Sequence, residues 1–207
     1  MTRWVDLEPP WRACLQLAWE AYGQGTTPVG AVIVDPEGRV VAEGRNARYA
    51  GAGEPLAGSH IAHAEVLALG RMSSGRDYPG HALYTTLEPC LLCVGAAVMS
   101  NIGHVHFAGA DPYGGAAAIV ATNAHLRRGL TAFSGPRPDA LGAFAAALHV
   151  EFYLRRKPGG HVVAAYRESM PAAVTAAEAF AGMRLQEAAA AGAPVHGSFD
   201  RAVAHLD

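Results

Sequence analysis

Apolar residues recur at helical spacing from Trp11 to Tyr22, where Trp11, Cys14, Leu15, Ala18 and Tyr22 share one face. Pro9-Pro10 suit the start of that helix, and Gly23 and Gly25 its end. Val29 to Val34 is a short β-branched run, the mark of a buried strand. The turn Asp35-Pro36-Glu37-Gly38 then returns the chain through a second strand, Arg39 to Glu43. Arg45 to Ile61, rich in glycine and broken by Pro55, reads as a loop. Helical periodicity resumes over Ala62 to Met72, with Val66, Leu67 and Leu69 as core candidates. A strand is predicted over Ala82 to Thr86, a helix from Cys90 to Met99 behind Pro89, and an alternating strand over His104 to Ala108. Further on the pattern weakens: Leu130 to Phe133 suggests a fifth strand, and Ala140–Arg155 and Ala172–Ala191 suggest Ala-rich helices. From Gly192 onward, Pro194 and Gly197 predict a loosely held tail. Strands alternating with helices predict an α/β sheet layered by helices.

Composition narrows the class. A chain of 207 residues that is 51% hydrophobic can bury a real core, which excludes wholesale disorder. The length fits one domain, or one domain with an appendage. Acids near the N-terminus stand where a signal peptide needs an apolar core, and no purely apolar run is long enough to span a bilayer. A cytoplasmic setting is the expectation, and three cysteines are too few for a disulfide scaffold. The formal net charge is −2, and Lys157 is the only lysine. Arg127-Arg128 and Arg155-Arg156-Lys157 are the only basic clusters, and residues 135–207 balance seven basic against seven acidic side chains. Phosphate backbones need a concentrated basic surface, so this balance disfavours a nucleic-acid partner and favours a small molecule.

The residues able to do chemistry are His63-Ala64-Glu65 and Pro89-Cys90-Leu91-Leu92-Cys93. Cys90 and Cys93 stand one turn apart at a helix start, where the helix dipole favours thiolates. With His63 they supply three nitrogen and sulfur donors suited to Zn²⁺. A structural zinc site takes four protein ligands, whereas a catalytic one leaves the fourth place to water. Glu65 lies close enough to the histidine to serve such a water as proton carrier. Taken singly, Cys-x-x-Cys also fits a redox pair, and Glu65 also fits a simple helix-start acid. Taken together, His-x-Glu followed by Pro-Cys-x-x-Cys is the signature of zinc deaminases.

With Pro28 to Val34, Gly44, Asn46, Leu87-Glu88 and Gly109-Ala110-Asp111-Pro112, these motifs make the stretch from Trp11 to Gly115 resemble the cytidine-deaminase-like superfamily. Within it the chain is most similar to the branch of guanine deaminases and tRNA adenosine deaminases. The resemblance implies a three-layer α/β/α fold with a mixed five-stranded sheet. It also implies one Zn²⁺ per subunit held by His63, Cys90 and Cys93, with Glu65 as proton shuttle, and a homodimer. It gives Asn46 a hydrogen bond to the base ring and the Ala64 N–H a contact with the base edge; for Asn46 a plain turn role stands as the alternative. The domain expectation is a core over 1–135 and a mainly helical, Ala-rich extension over 136–207, packed on that core. Two departures bear on substrate: the longer spacing from Asn46 to His63, and the absence of the Asp-Pro pair that the branch carries before its histidine. The extra loop, Tyr49 to Ser59, reads as a lid or as a surface insertion; His60 reads as a surface histidine, with a substrate or supporting role as the alternative, and Cys14 fits the core face of the first helix, outside the site. The expected function is hydrolytic deamination of a free nucleobase or nucleoside, leaning toward guanine-like rings. Deamination of an adenosine in tRNA is the alternative, and a catalytically dead fold kept for binding is the third reading.

Overall fold

The computed structural model describes every residue except Met1, Ala52, Glu54, Pro55, Gly129, Leu130 and Asp207. Its first long helix, α1, spans Pro9–Gly23 and begins with the two prolines, whose fixed φ and missing N–H suit a first turn. Strands β1 (Gly30–Val34) and β2 (Val40–Arg45) form the expected hairpin. Helix α2 (Ala64–Leu69) is shorter than the periodicity predicts, and β3 (Tyr78–Leu87) is longer. Helix α3 (Leu91–Met99), β4 (Ile102–Gly109), the short α4 (Ala124–Arg128) and β5 (Ala132–Ser134) complete the family-like half. Leu130, the start of the expected fifth strand, lies outside the described residues.

The sheet order is β2-β1-β3-β4-β5, with β1 antiparallel to both neighbours and β3, β4 and β5 parallel. This is the mixed five-stranded sheet. Successive side chains alternate between its faces. Val32, Val34 and Tyr84 pack with Cys14 of α1, whereas Ala31, Ile33, Leu83 and Val105 pack with α2 and α3. The result is three layers, α/β/α.

Helix α5 (Ala140–Arg156) joins α1 on the first face. Asp139 caps it, its carboxylate accepting from the N–H groups of Leu141 and Gly142. Its small residues let it lie close to the sheet: a Cβ on Gly109 would stand 2.8 Å from the Ala146 nitrogen. One buried polar group crosses this layer. The Tyr22 hydroxyl donates to Glu151, which also accepts from Arg155 at 2.6 Å.

The C-terminal third corrects two sequence expectations. Ala172 to Ala191 is two helices, α7 (Pro171–Gly182) and α8 (Leu185–Ala190), broken at Arg184 with φ of 56°. A further helix, α6 (His161–Ser169), precedes them. The expected loose tail is instead a helix, α9 (Val195–Val203). Pro194 stands just before its first turn, and Val195, Phe199, Ala202 and Val203 bury one helical stripe in the main core. Trp4 N–H donates to Asp200 at 2.7 Å and Trp19 Nε1–H to the Ala193 carbonyl at 2.7 Å, so the two ends of the chain interlock. Among the described residues, no helix is long and apolar enough to cross a membrane.

Candidate functional site

His63 is the cap residue of α2, Cys90 that of α3, and Cys93 lies in the first turn of α3. Strands β2 and β3 are both antiparallel to β1, so they run the same way and the helices that follow them start at one end of the sheet. There His63 Nδ1 lies 3.4 Å from each sulfur, and the sulfurs are 3.6 Å apart. Zn–S bonds of about 2.3 Å and Zn–N bonds of about 2.0–2.1 Å at tetrahedral angles put donors roughly 3.6–3.8 Å apart. The three donors fit a zinc ion, and they are the group that can hold a metal among the described residues. The neighbouring Cys93 thiol and His63 hold the Cys90 thiol down at about 4, while the same contact and burial push the Cys93 thiol up.

Glu65 follows in the first turn of α2 and is 4% exposed. Its Oε1 accepts from the Thr85 hydroxyl at 3.1 Å, which aims the carboxyl from the sheet floor. Burial raises its pKa, opposed by the His63 charge. Ala64 is the first residue of α2, so its N–H has no acceptor inside the helix, while its methyl packs in the core. Asn46 is buried, and its Oδ1 accepts from the Thr26 hydroxyl at 3.0 Å and from the Arg48 N–H at 3.1 Å. The oxygen is thereby committed, and the amide NH₂ is the donor left over.

A cavity of about 440 Å³ opens over these groups, with Asn46, His63, Glu65 and Cys90 in its wall. The structure therefore brings together the sequence-predicted residues. It also adds a wall that the sequence reading missed: His149, Tyr153, Lys157 and His161, from α5, α6 and the turn between them. No motif marks them, although Lys157 stood out as the only lysine. Of the Tyr49–Ser59 loop, Tyr49 lines the cavity and stacks on Phe152, with ring centroids 6.0 Å apart. His60 is exposed, and its Nδ1 lies 3.0 Å from Arg48 Nη2. Cys14 is buried on the core face of α1, its thiol donating to the Tyr84 carbonyl at 3.3 Å.

Residues 7–109 match the family described as "Cytidine and deoxycytidylate deaminase zinc-binding region", which carries the whole three-donor cluster. A tRNA-specific adenosine deaminase from Aquifex aeolicus is 36% identical over 112 residues, 52% of this chain and 70% of that protein. The chain belongs to the cytidine and deoxycytidylate deaminase zinc-binding family. The riboflavin biosynthesis protein RibD of Mycobacterium tuberculosis is 40% identical over 123 residues, covering 53% of this chain but 33% of that protein. The chain spans under two thirds of the length of several curated relatives it matches. A solved structure from work on A-to-I editing by tRNA:A34 deaminases superposes with a TM-score of 0.54 at 26% identity, covering 69% of this chain and 97% of that one. As in the deaminase family, the donor set here is a zinc-binding one.

Proposed function

We propose that this chain is a zinc-dependent hydrolytic deaminase of a small free nucleobase or nucleoside, releasing ammonia. The cavity supports this reading: Glu65, the zinc donors His63 and Cys90, and Asn46 line a space of about 440 Å³, the size of a small-ligand pocket. Bound zinc supplies Lewis acidity that brings the pKa of water to about 7. Glu65 would take a proton from the attacking water and give it to the ring nitrogen as oxygen bonds to the amine-bearing carbon, then carry the proton of the new C–OH to the amine, so that ammonia leaves and a carbonyl remains. Thr85 keeps the carboxyl aimed through both transfers. The Asn46 NH₂ donates to an acceptor on the ring, and the Ala64 N–H to the edge opposite the reacting amine. Guanine-like rings are the favoured substrates. Exposed Leu91, Leu92 and Met99 on α3 support a homodimer built on that face.

Similarity to tRNA-specific adenosine deaminases favours a second reading, the same chemistry on an adenosine in tRNA. Ammonia release by the purified, zinc-loaded protein separates the two, assayed on guanine, adenine, cytosine, their nucleosides and a tRNA transcript. Release from a base or nucleoside is the expected result. Release from the transcript alone overturns it.

A further inference from the structure

Of the four ionisable side chains that α5, α6 and the turn between them bring into the cavity wall, His149 is the buried one, and neither the motifs nor the zinc cluster uses it. His149 of α5 is 4% exposed and lines the cavity, and its Nδ1 lies 3.1 Å from the Tyr166 hydroxyl. The same hydroxyl lies 3.0 Å from the Ala110 carbonyl. A phenol has one proton and a carbonyl only accepts, so both contacts are satisfied in a single arrangement. Tyr166 O–H donates to Ala110, and His149 Nδ1–H donates to Tyr166. The hydrogen-bond network thus assigns the tautomer. Of the two ring nitrogens only Nδ1 is engaged by a hydrogen bond among the described residues, and Nε2 is not one of the fully enclosed unpartnered atoms.

We infer that His149 is a specificity-determining residue of the pocket, a neutral imidazole whose Nε2 accepts a hydrogen bond from an N–H or O–H donor on the substrate. This rests on the deaminase reading of the cavity and deepens it. Burial lowers the basicity of the ring, against the opposing charge of Asp111, which keeps the acceptor lone pair available. The assignment complements Asn46. Asn46 offers an amide donor to a ring acceptor, and His149 of α5, lining the same cavity, offers an acceptor to a ring or sugar donor. A ligand lacking that donor leaves a buried nitrogen without its partner, which is how a polar pocket rejects close analogues. Tyr166 is a positioning residue. It holds the proton on Nδ1 and ties α5 and α6 to the end of β4 through Ala110.

Two measurements on the full-length, zinc-loaded protein test this. The first is a long-range ¹H–¹⁵N NMR spectrum of ¹⁵N-histidine-labelled protein at pH 7, with His149 identified by its loss in His149→Gln. Expected are a protonated Nδ1 and a bare, pyridine-like Nε2. A protonated Nε2 overturns the assignment. The second is kcat/KM for ammonia release from guanine, adenine, cytosine and their nucleosides. Gln places an acceptor where Nε2 stands, whereas Asn keeps only the donor toward Tyr166. His149→Asn is expected to lose about 10- to 100-fold, mainly through KM, and His149→Gln to recover most of that loss. Equal losses in the two variants overturn the substrate role of His149 while leaving the deaminase reading intact. No release from any of the compounds by wild type overturns both the substrate role and that reading, and the NMR result then bears on the tautomer alone.

Discussion

Gly44 couples the sheet to the zinc donors. It lies in β2 under α2, and a Cβ there would stand 2.1 Å from the Ala64 carbonyl oxygen and 2.6 Å from the Ala68 nitrogen. Both are backbone atoms of the helix that begins at His63, so no side-chain rotation relieves the clash. Gly44→Ala forces α2 to retreat by roughly 1 Å, an overpacking cost of about 1–3 kcal/mol. For a chain of this size that corresponds to a fall in Tm of about 2–4 °C per kcal/mol. The same displacement moves His63 Nδ1 away from sulfurs now 3.4 Å distant, while α3 stays in place. Zinc affinity is therefore expected to drop as well, on the order of the 10- to 100-fold seen when support of a metal ligand is lost. Thermal melting and competition with a zinc chelator measure the two effects. Gly95→Ala in α3 is the control: its added methyl meets no atom within 4 Å, so it gains helix propensity of about 0.5–1 kcal/mol and leaves zinc binding unchanged. A Gly44→Ala protein with wild-type Tm and wild-type zinc affinity would refute the reasoning.

Other substitutions probe the chemistry and the core. Glu65→Gln is expected to lower ammonia release by about 10²–10⁴ while one zinc per chain remains bound; metal analysis beside the activity assay checks both, and full activity sinks the proton-shuttle role. Glu151→Ala strands the Tyr22 hydroxyl in the core and is expected to cost about 1–3 kcal/mol in urea denaturation, with Glu151→Gln costing less because an acceptor remains. Burial alone would raise the Asp139 pKa, but the Arg137 guanidinium and the N–H groups of Gly142 and Leu141 lower it overall. Its folded pKa then lies below its unfolded one, so its stabilisation is present at neutral pH and is lost as pH falls below about 4 through the folded value. Asp139→Asn should melt below wild type at pH 7, and the gap should narrow toward pH 3; a gap independent of pH would contradict this.

The zinc cluster was legible because its information is local. His63, Cys90 and Cys93 each sit at a helix start, and a Pro-Cys-x-x-Cys turn announces itself within five residues. The positions of the strands along the chain followed from short apolar runs separated by turns, whereas the mixed five-stranded sheet was implied by the family resemblance. The far wall of the cavity was not legible, because His149 and His161 acquire meaning only when α5 and α6 fold back over Ala110. Ala-rich composition hid this: the stretch from Ala172 reads as one uniform helix, and the left-handed residue at its break is Arg184 rather than the nearby Gly182 that ends α7. The last helix was misread for a related reason. Pro194 and Gly197 look like breakers, yet one precedes the first turn and the other is tolerated inside it, while the stripe from Val195 to Val203 finds its partners in α1 and α5.

The interlock of Trp4 with Asp200 and of Trp19 with Ala193 has a bearing on synthesis. Every motif that marks the family emerges from the ribosome before residue 116, but the face of α1 is covered by helices made last. Until Val203 has left the exit tunnel, Trp11, Trp19 and Tyr22 remain without much of their cover. Contacts this distant in sequence close slowly, and exposed aromatic surface invites aggregation in the interval. The nascent half that carries the zinc donors is therefore expected to keep the apolar face of α1 uncovered until α9 docks.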